Sequence, residues 1–316
     1  RSQLPPRKSP GMNFGSEERA RKRKSFNSTT SRNGSWEAML VLVHDGTPET
    51  TRDLLVAAAG ARNVPVREIE ASAFRFSAAD RLPAGAGLYR TAGSSLAIDV
   101  EHFLWATAEA PPATFYKDSP YFACISPELA FRGAGLTVPR SAALRSTDRT
   151  QIEALVAALG GFPVVVKCSG GEGGVGVFRA DDLRTLLPLL DFLIRGRGET
   201  PRLLAYVGEA VHHRVIVVGD RAIASYTNPT ADNDFRSQPS GDRADYTDRP
   251  EPRLAEAAVR AANALRVAFA GVDLLLHRSG RIYVLEANFP CYFAQVAEVR
   301  PEIDVAGALL DSLLPR

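Results

Sequence analysis

GVDLLLHRSGRIYVLEAN, residues 271–288, is the stretch from which the rest of the chain is best read. Val272–His277 and Arg281–Glu286 have strand-like composition and Ser279-Gly280 supplies a turn between them, so the segment is expected to form a hairpin. With the turn centred there, Leu274 falls opposite Leu285 and Asp273 opposite Glu286. Directly opposed carboxylates cost a sheet about 0.2–1 kcal/mol unless something positive lies between them. A divalent cation meets that need. Asn288, two residues past Glu286, shares its face and adds a third oxygen. Asp273, Glu286 and Asn288 thus make a hard-oxygen set suited to Mg2+ with bound phosphate, with Mn2+ as a substitute.

Upstream, FPVVVKCSGGEGGVGV (162–177) ends a strand on Lys167 and runs into a glycine loop. Gly171, Gly173 and Gly176 satisfy GxGxxG, but a lysine precedes the loop and a second strand follows it, whereas in a dinucleotide fold such glycines open a helix directly. A hairpin is expected instead, its glycine tip (Gly171, Gly173, Gly174) offering backbone N–H groups to phosphates above Lys167. Lysine usage sharpens this. Of 38 basic residues five are lysine, and only Lys117 and Lys167 lie beyond residue 38. Where a surface cation sufficed the chain uses arginine, which marks these two as candidates for reaching nucleotide phosphates.

The 316 residues exceed what one core organises, and 45% apolar with 23% charged residues is ordinary globular composition. No apolar run is long enough to span a membrane. Three scattered cysteines (Cys124, Cys168, Cys291) suit neither a disulfide scaffold nor a zinc site and point to a reducing, cytoplasmic setting. His212, His213 and His277 have no metal-ligand spacing and read as structural or exposed. Residues 1–38 hold nine Lys/Arg against three Glu, a net of +6, so the other 278 residues carry −4 within the overall +2. That basic, apolar-poor segment is expected to be a disordered tail, and the body gives no charge basis for nucleic acid as a partner.

Helix and strand spacing divides the remainder into a small α/β N-terminal domain (39–113), a helix–strand–loop–strand–helix lobe (114–200) and a C-terminal lobe (201–316) opening on a strand at Leu203–Val207. Helix caps are expected at Thr147 and Asp181, and a helix face at Leu254, Ala258, Ala262, Leu265 and Phe269. The segment Asn228–Asp248 is too long for a plain turn and reads as a functional loop.

FPVVVKCSGGEGGVGV, VHHRVIVVGDRAIA, DNDFRS and GVDLLL…YVLEANFP, in that order and spacing, resemble the ATP-grasp carboxylate–amine ligases, most closely their RimK-type glutamate ligase branch. The resemblance covers residues 114–316. It implies an α/β (α+β) ATP-grasp fold, two lobes gripping ATP, preceded by the small N-terminal domain. Lys167, and Lys117 as the first phosphate lysine, would contact ATP; Ala205, Tyr206 and Val207 would be the hinge that reads adenine; Asp273, Glu286 and Asn288 would hold magnesium. Arg214 and Arg236 would grip the reacting carboxylate or its phosphorylated form. Arg90 would meet the substrate from the N-terminal domain. The hinge reads LLAYV where the family has an acid, leaving Glu209 as a substitute ribose contact, and HHR replaces an acidic-x-Arg element. The implied reaction forms an amide through an acyl phosphate, with an amino acid, an acidic peptide or a protein tail as substrate and an oligomer left open. A peptide-modifying or crosslinking ligase, a non-catalytic ATP-binding protein and a kinase on the same fold remain alternatives at this level.

Overall fold

Among the described residues twelve strands gather into three four-stranded sheets. The computed structural model describes residues 38–46, 49–77, 81–116, 126–168, 174–230, 234–236 and 245–314. The first sheet, in order β2-β1-β3-β4, is parallel and comprises Met39–His44 (β1), Val66–Glu70 (β2), Ala86–Arg90 (β3) and Ala113–Thr114 (β4). Glu49–Ala61 (α1) and Ser95–Thr107 (α2) complete it. Ser94 caps α2 by accepting the Ala97 N–H at 3.2 Å. The unbroken apolar run of β1 has a structural cause, since both of its faces are covered. Leu40 and Leu42 enter one core and Val41 and Val43 another.

Pro127–Gly133 (α3) precedes the second sheet, which is antiparallel in order β5-β8-β6-β7: Ser141–Ala143 (β5), Val164–Lys167 (β6), Val177–Ala180 (β7) and Arg202–Ala205 (β8). Arg149–Leu159 (α4) and Leu183–Asp191 (α5) bury Ile152, Val156, Leu186 and Leu190 against its inner face in a core of their own. The caps differ by one residue from expectation. Asp148, not Thr147, accepts the Gln151 N–H, and Asp182, not Asp181, accepts that of Thr185, both at 2.8 Å; Asp181 pairs with Arg179 instead. The strand expected to open the C-terminal lobe is β8, and it lies inside the second sheet between β5 and β6.

The third sheet, β10-β9-β11-β12, is antiparallel: Ala210–Val218 (β9), Arg221–Thr227 (β10), Phe269–His277 (β11) and Ile282–Asn288 (β12), with Pro252–Ala264 (α6), Ala294–Val299 (α7) and Val305–Leu313 (α8). Leu254, Ala258 and Ala262 line the buried face of α6 as expected, while Phe269 belongs to β11. Core residues of this sheet (Val215, Val217, Val272) and of α8 (Leu309, Leu313) join Leu40, Leu42, Leu55 and Tyr89 in a single cluster. The first and third sheets therefore share one core, and the second sheet stands on the other side of a cleft with its own.

Candidate active site

The β11–β12 hairpin pairs Asp273 with Glu286, the sequence expectation, by a route the sequence did not give. The turn closes through His277 N–H to Arg281 O (2.9 Å) and Gly280 N–H to His277 O (2.8 Å), with Gly280 at φ +78°, a three-residue loop that needs glycine in the left-handed region. It sets Leu274 opposite Val284, one residue off the expected register. A bulge beyond Leu274 then restores the Asp273–Glu286 pair.

Register across the sheet extends the row. Glu286, Asp273, Arg214 and Tyr226 are successive cross-strand partners on β12, β11, β9 and β10. Asp273 is 2% exposed. Arg214 clasps it with Nε to Oδ1 at 2.8 Å and Nη2 to Oδ2 at 2.6 Å, His212 Nε2 lies 3.1 Å from Oδ1, and Asn288 Nδ2 donates to Oδ2 at 2.9 Å. Burial works to raise the Asp273 carboxyl, but the Arg214 charge and the bonds from His212 and Arg214 outweigh it and hold the group well below the usual carboxylate range. Arg214 is reciprocally held protonated, the Asp273 charge overcoming the effect of burial. Gly271 sits beside the row because a Cβ there would collide with the Cys291 sulfur. Burial pushes that thiol up to about 12, with the Arg214 charge opposing.

From across the cleft, Lys167 at the end of β6 reaches Glu286 Oε2 at 3.4 Å. Cys168 N–H donates to Gly176 O at 2.9 Å, and Gly174 and Gly176 adopt φ of +80° and +75°, closing the base of the glycine loop. Arg236 is gripped by Asp234, with Nη2 to Oδ2 at 2.7 Å, and its Nη1 donates to Gly174 O at 3.1 Å, so the DFR segment is tied to that loop. The cleft continues to the hinge. There Ala205, Tyr206 and Val207 line about 420 Å³ together with Thr137–Arg140, Gly208, His277, Arg281 and Tyr283. Arg179 lies over the Tyr206 ring at 4.5 Å. A second cleft of about 510 Å³ lies at Thr114, Phe115, Gly219, Asn263 and Arg266.

Several expectations are corrected. Arg90 is 1% exposed, with Nε on Glu101 Oε2 at 2.8 Å and a bond to Ala92 O, so it braces the N-terminal core instead of facing a substrate. Glu209 does not line the hinge cleft; its backbone is left-handed (φ +50°) and its carboxylate pairs with Arg278 at 2.8 Å. Arg236, expected to grip the reacting carboxylate, is paired with Asp234. Lys117, Cys124, Gly171 and Gly173 lie outside the described residues, as does the 1–37 portion of the tail. His212, read as structural or exposed, is in the site. Its spacing from Arg214 on one strand was the signal, because residues two apart share a face.

Among the described residues no group of three or more His, Cys, Asp or Glu gathers as a metal cluster; the candidate set is two carboxylates and an amide. Its chemistry fits a hard cation. A carboxylate offers about four lone-pair positions, and those of Asp273 are taken by Arg214, His212 and Asn288. Turning the Asn288 amide over would free one of them and present its own oxygen beside Glu286, to which Asn288 Nδ2 now donates at 3.4 Å.

The RimK-like ATP-grasp domain matches residues 129–313, more than half of the chain. The chain belongs to the RimK-like ATP-grasp family. Among this family's proteins it is 33% identical over 189 residues to a probable alpha-L-glutamate ligase of Picosynechococcus sp., covering 58% of this chain and 60% of that protein. To the protein of the same name from Xanthomonas oryzae pv. oryzae (strain MAFF 311018) it is 32% identical over 219 residues, 61% and 73% of the two lengths. The chain thus spans about 60% of the first relatives it matches, whose lengths it covers by 60% and 59%. The ATP-grasp fold extends further. The ligase PsnB complexed with a phosphomimetic variant of its minimal precursor, Mg and ADP matches with a TM-score of 0.67 at 18% identity, over 88% of this chain and 98% of that one. The macrocyclase MdnC from Microcystis aeruginosa MRC, bound with precursor peptide MdnA, matches with a TM-score of 0.62 at 11% identity over 87% and 99%. At such identities the likeness shows the fold alone. No helix among the described residues is long and apolar enough to cross a membrane.

Proposed function

We propose that the protein is an ATP- and magnesium-dependent ligase that joins a carboxylate to an amine through an acyl phosphate, releasing ADP and phosphate. The carrying observation is the meeting of Lys167 with Glu286 across the cleft, beside Asp273 and Arg214 on the same sheet face. Transfer of a γ-phosphoryl group demands positioning and charge neutralisation more than a nucleophilic side chain, and this row supplies both. The hinge segment Ala205–Val207, with Tyr206 and Tyr283, would seat adenine, and Lys167 would turn from Glu286 to the phosphates. Asp273, Glu286 and Asn288 would hold Mg2+, or Mn2+ in its place, which would supply positive charge to neutralise the phosphates. Arg214 spends Nε and Nη2 on Asp273 and keeps further donors for the developing acyl phosphate. Arg236, anchored on Gly174, would bring the DFR segment and the glycine loop over the phosphates together.

The substrate is proposed to be an amino acid or an acidic peptide or protein tail. Sequence likeness to glutamate ligases covers 58% of the chain, whereas fold likeness to enzymes in complex with precursor peptides covers 87–88%. A peptide-bound substrate is therefore the second reading. The test follows ADP and phosphate release with Mg-ATP and, separately, pooled amino acids and acidic peptides, using Asp273→Asn and Lys167→Ala as controls. Amine-dependent release of both products, lost in both variants, is expected. ADP without free phosphate would establish a kinase, and ATP binding without turnover in any pool would overturn the ligase reading.

A further inference from the structure

Asn228 is a buried polar residue whose chemistry the nucleotide and metal groups leave unused. It is 4% exposed, and among the described residues no donor reaches its Oδ1. A buried acceptor without a partner is destabilising, a cost that a ligand donor removes. The residue is firmly placed. Its own N–H donates to His212 O at 2.8 Å, extending the β10–β9 ladder past Thr227, and the return of the chain is pinned at Ser225–Thr247 and by Asp245 N–H on Thr227 Oγ1. By strand alternation Asn228 lies on the face that carries Tyr226, His212, Arg214 and Asp273.

Position decides which ligand is met. The hinge cleft and the Lys167–Glu286 contact lie along β12, and β10 is three strands away, about 14 Å at the usual strand spacing. Asn228 is thus on the far side of Arg214 from the nucleotide. Charge points the same way. The acceptors of Asp273 are filled and Glu286 is committed to the metal in the proposed function, so what Asn228 offers a second donor ligand is a neutral amide oxygen. An attacking amine must be uncharged, and a neutral acceptor orients an N–H without favouring the ammonium form as a carboxylate would.

We propose that Asn228 receives the amine substrate, its Oδ1 accepting one N–H so that the nitrogen lone pair faces the activated carboxyl over Arg214. This rests on the ligase reading. The nitrogen lone pair forms the C–N bond, the C–O bond to phosphate breaks with its electrons leaving on phosphate, and the surplus nitrogen proton passes to the departing phosphate or to water.

The test combines binding and kinetics. In the full chain labelled with 15N-asparagine, the Asn228 side-chain signals are identified by their loss in Asn228→Leu. They are expected to shift with glycinamide, an amine without a carboxylate, and to stay in place with glutarate or Mg-ADP. In hydroxamate formation from L-glutamate, Mg-ATP and hydroxylamine, Asn228→Leu should raise KM for hydroxylamine about tenfold or more and leave KM for ATP unchanged. A shift with Mg-ADP, or a raised KM for ATP, would assign Asn228 to the nucleotide and overturn the proposal. So would silence toward all three probes, with an unchanged hydroxylamine KM. Wild-type hydroxamate formation alongside such a result would sink this seat and spare the ligase reading, whereas absence of ADP and hydroxamate from every pool would sink the ligase reading itself.

Discussion

Lys167 and Asp273 hold opposite positions in the balance between stability and function. The Lys167–Glu286 pair has side chains 30% and 49% exposed, so Lys167→Ala should move folding stability by less than about 0.5 kcal/mol while eliminating turnover, as urea melts and product assays would show. Asp273→Asn strips a buried guanidinium of its counter-ion and should cost about 3–5 kcal/mol as well as activity, read in the same melts. Cys291 makes a third residue-scale case. Its thiol, pushed up to about 12 by burial, stays protonated in the folded state while an unfolded thiol ionises from about pH 8.5 upward, so the unfolded form loses the proton first. Its contribution should therefore lower stability as pH climbs through that interval, and alkylation mapped by mass spectrometry should leave Cys291 unmodified at neutral pH until the protein is denatured. At this scale the sequence announced Asp273, Glu286 and Lys167 through spacing and rarity. It could not announce that Arg90 would be consumed by Glu101, because that pairing depends on how a helix packs on a strand end.

Among the elements, the β11–β12 hairpin was the most legible and also the one whose details differ. Alternation and a Ser-Gly turn located it, yet turn geometry and site geometry disagree by one residue, and only the bulge reconciles them. Local sequence carries no clear sign of a bulge, which answers to the twist of neighbouring strands. Gly271 shows the same dependence on packing. Gly271→Ala should destabilise by about 1–3 kcal/mol through the clash with Cys291, and Cys291→Ala in the same chain should recover part of that loss in chemical denaturation. Adjacency in sequence places strand β8 with the lobe that follows it, while hydrogen bonding gives it to the lobe before, where it joins β5 to β6.

At the level of the whole molecule, the division into three successive lobes gives way to a base and an arm. The base contains the first and third sheets in one core, and the arm is the second sheet with its separate core. A fragment lacking residues 39–113 should accordingly expose the apolar surface that Leu40, Leu42, Leu55 and Tyr89 now cover, binding the dye ANS and aggregating where the intact chain does not. Sequence order conceals such an arrangement, since nothing in a strand of valines and leucines states which distant face will cover it. The shared core also sets a timetable. Leu40 emerges from the ribosome about 270 residues before Leu309, its eventual neighbour in the cluster, and at about 5–20 residues per second that interval is roughly 15–50 s. For that time the first strand and helix of a nascent chain wait with one greasy side uncovered, while the arm, whose partners are all close in sequence, is already able to fold.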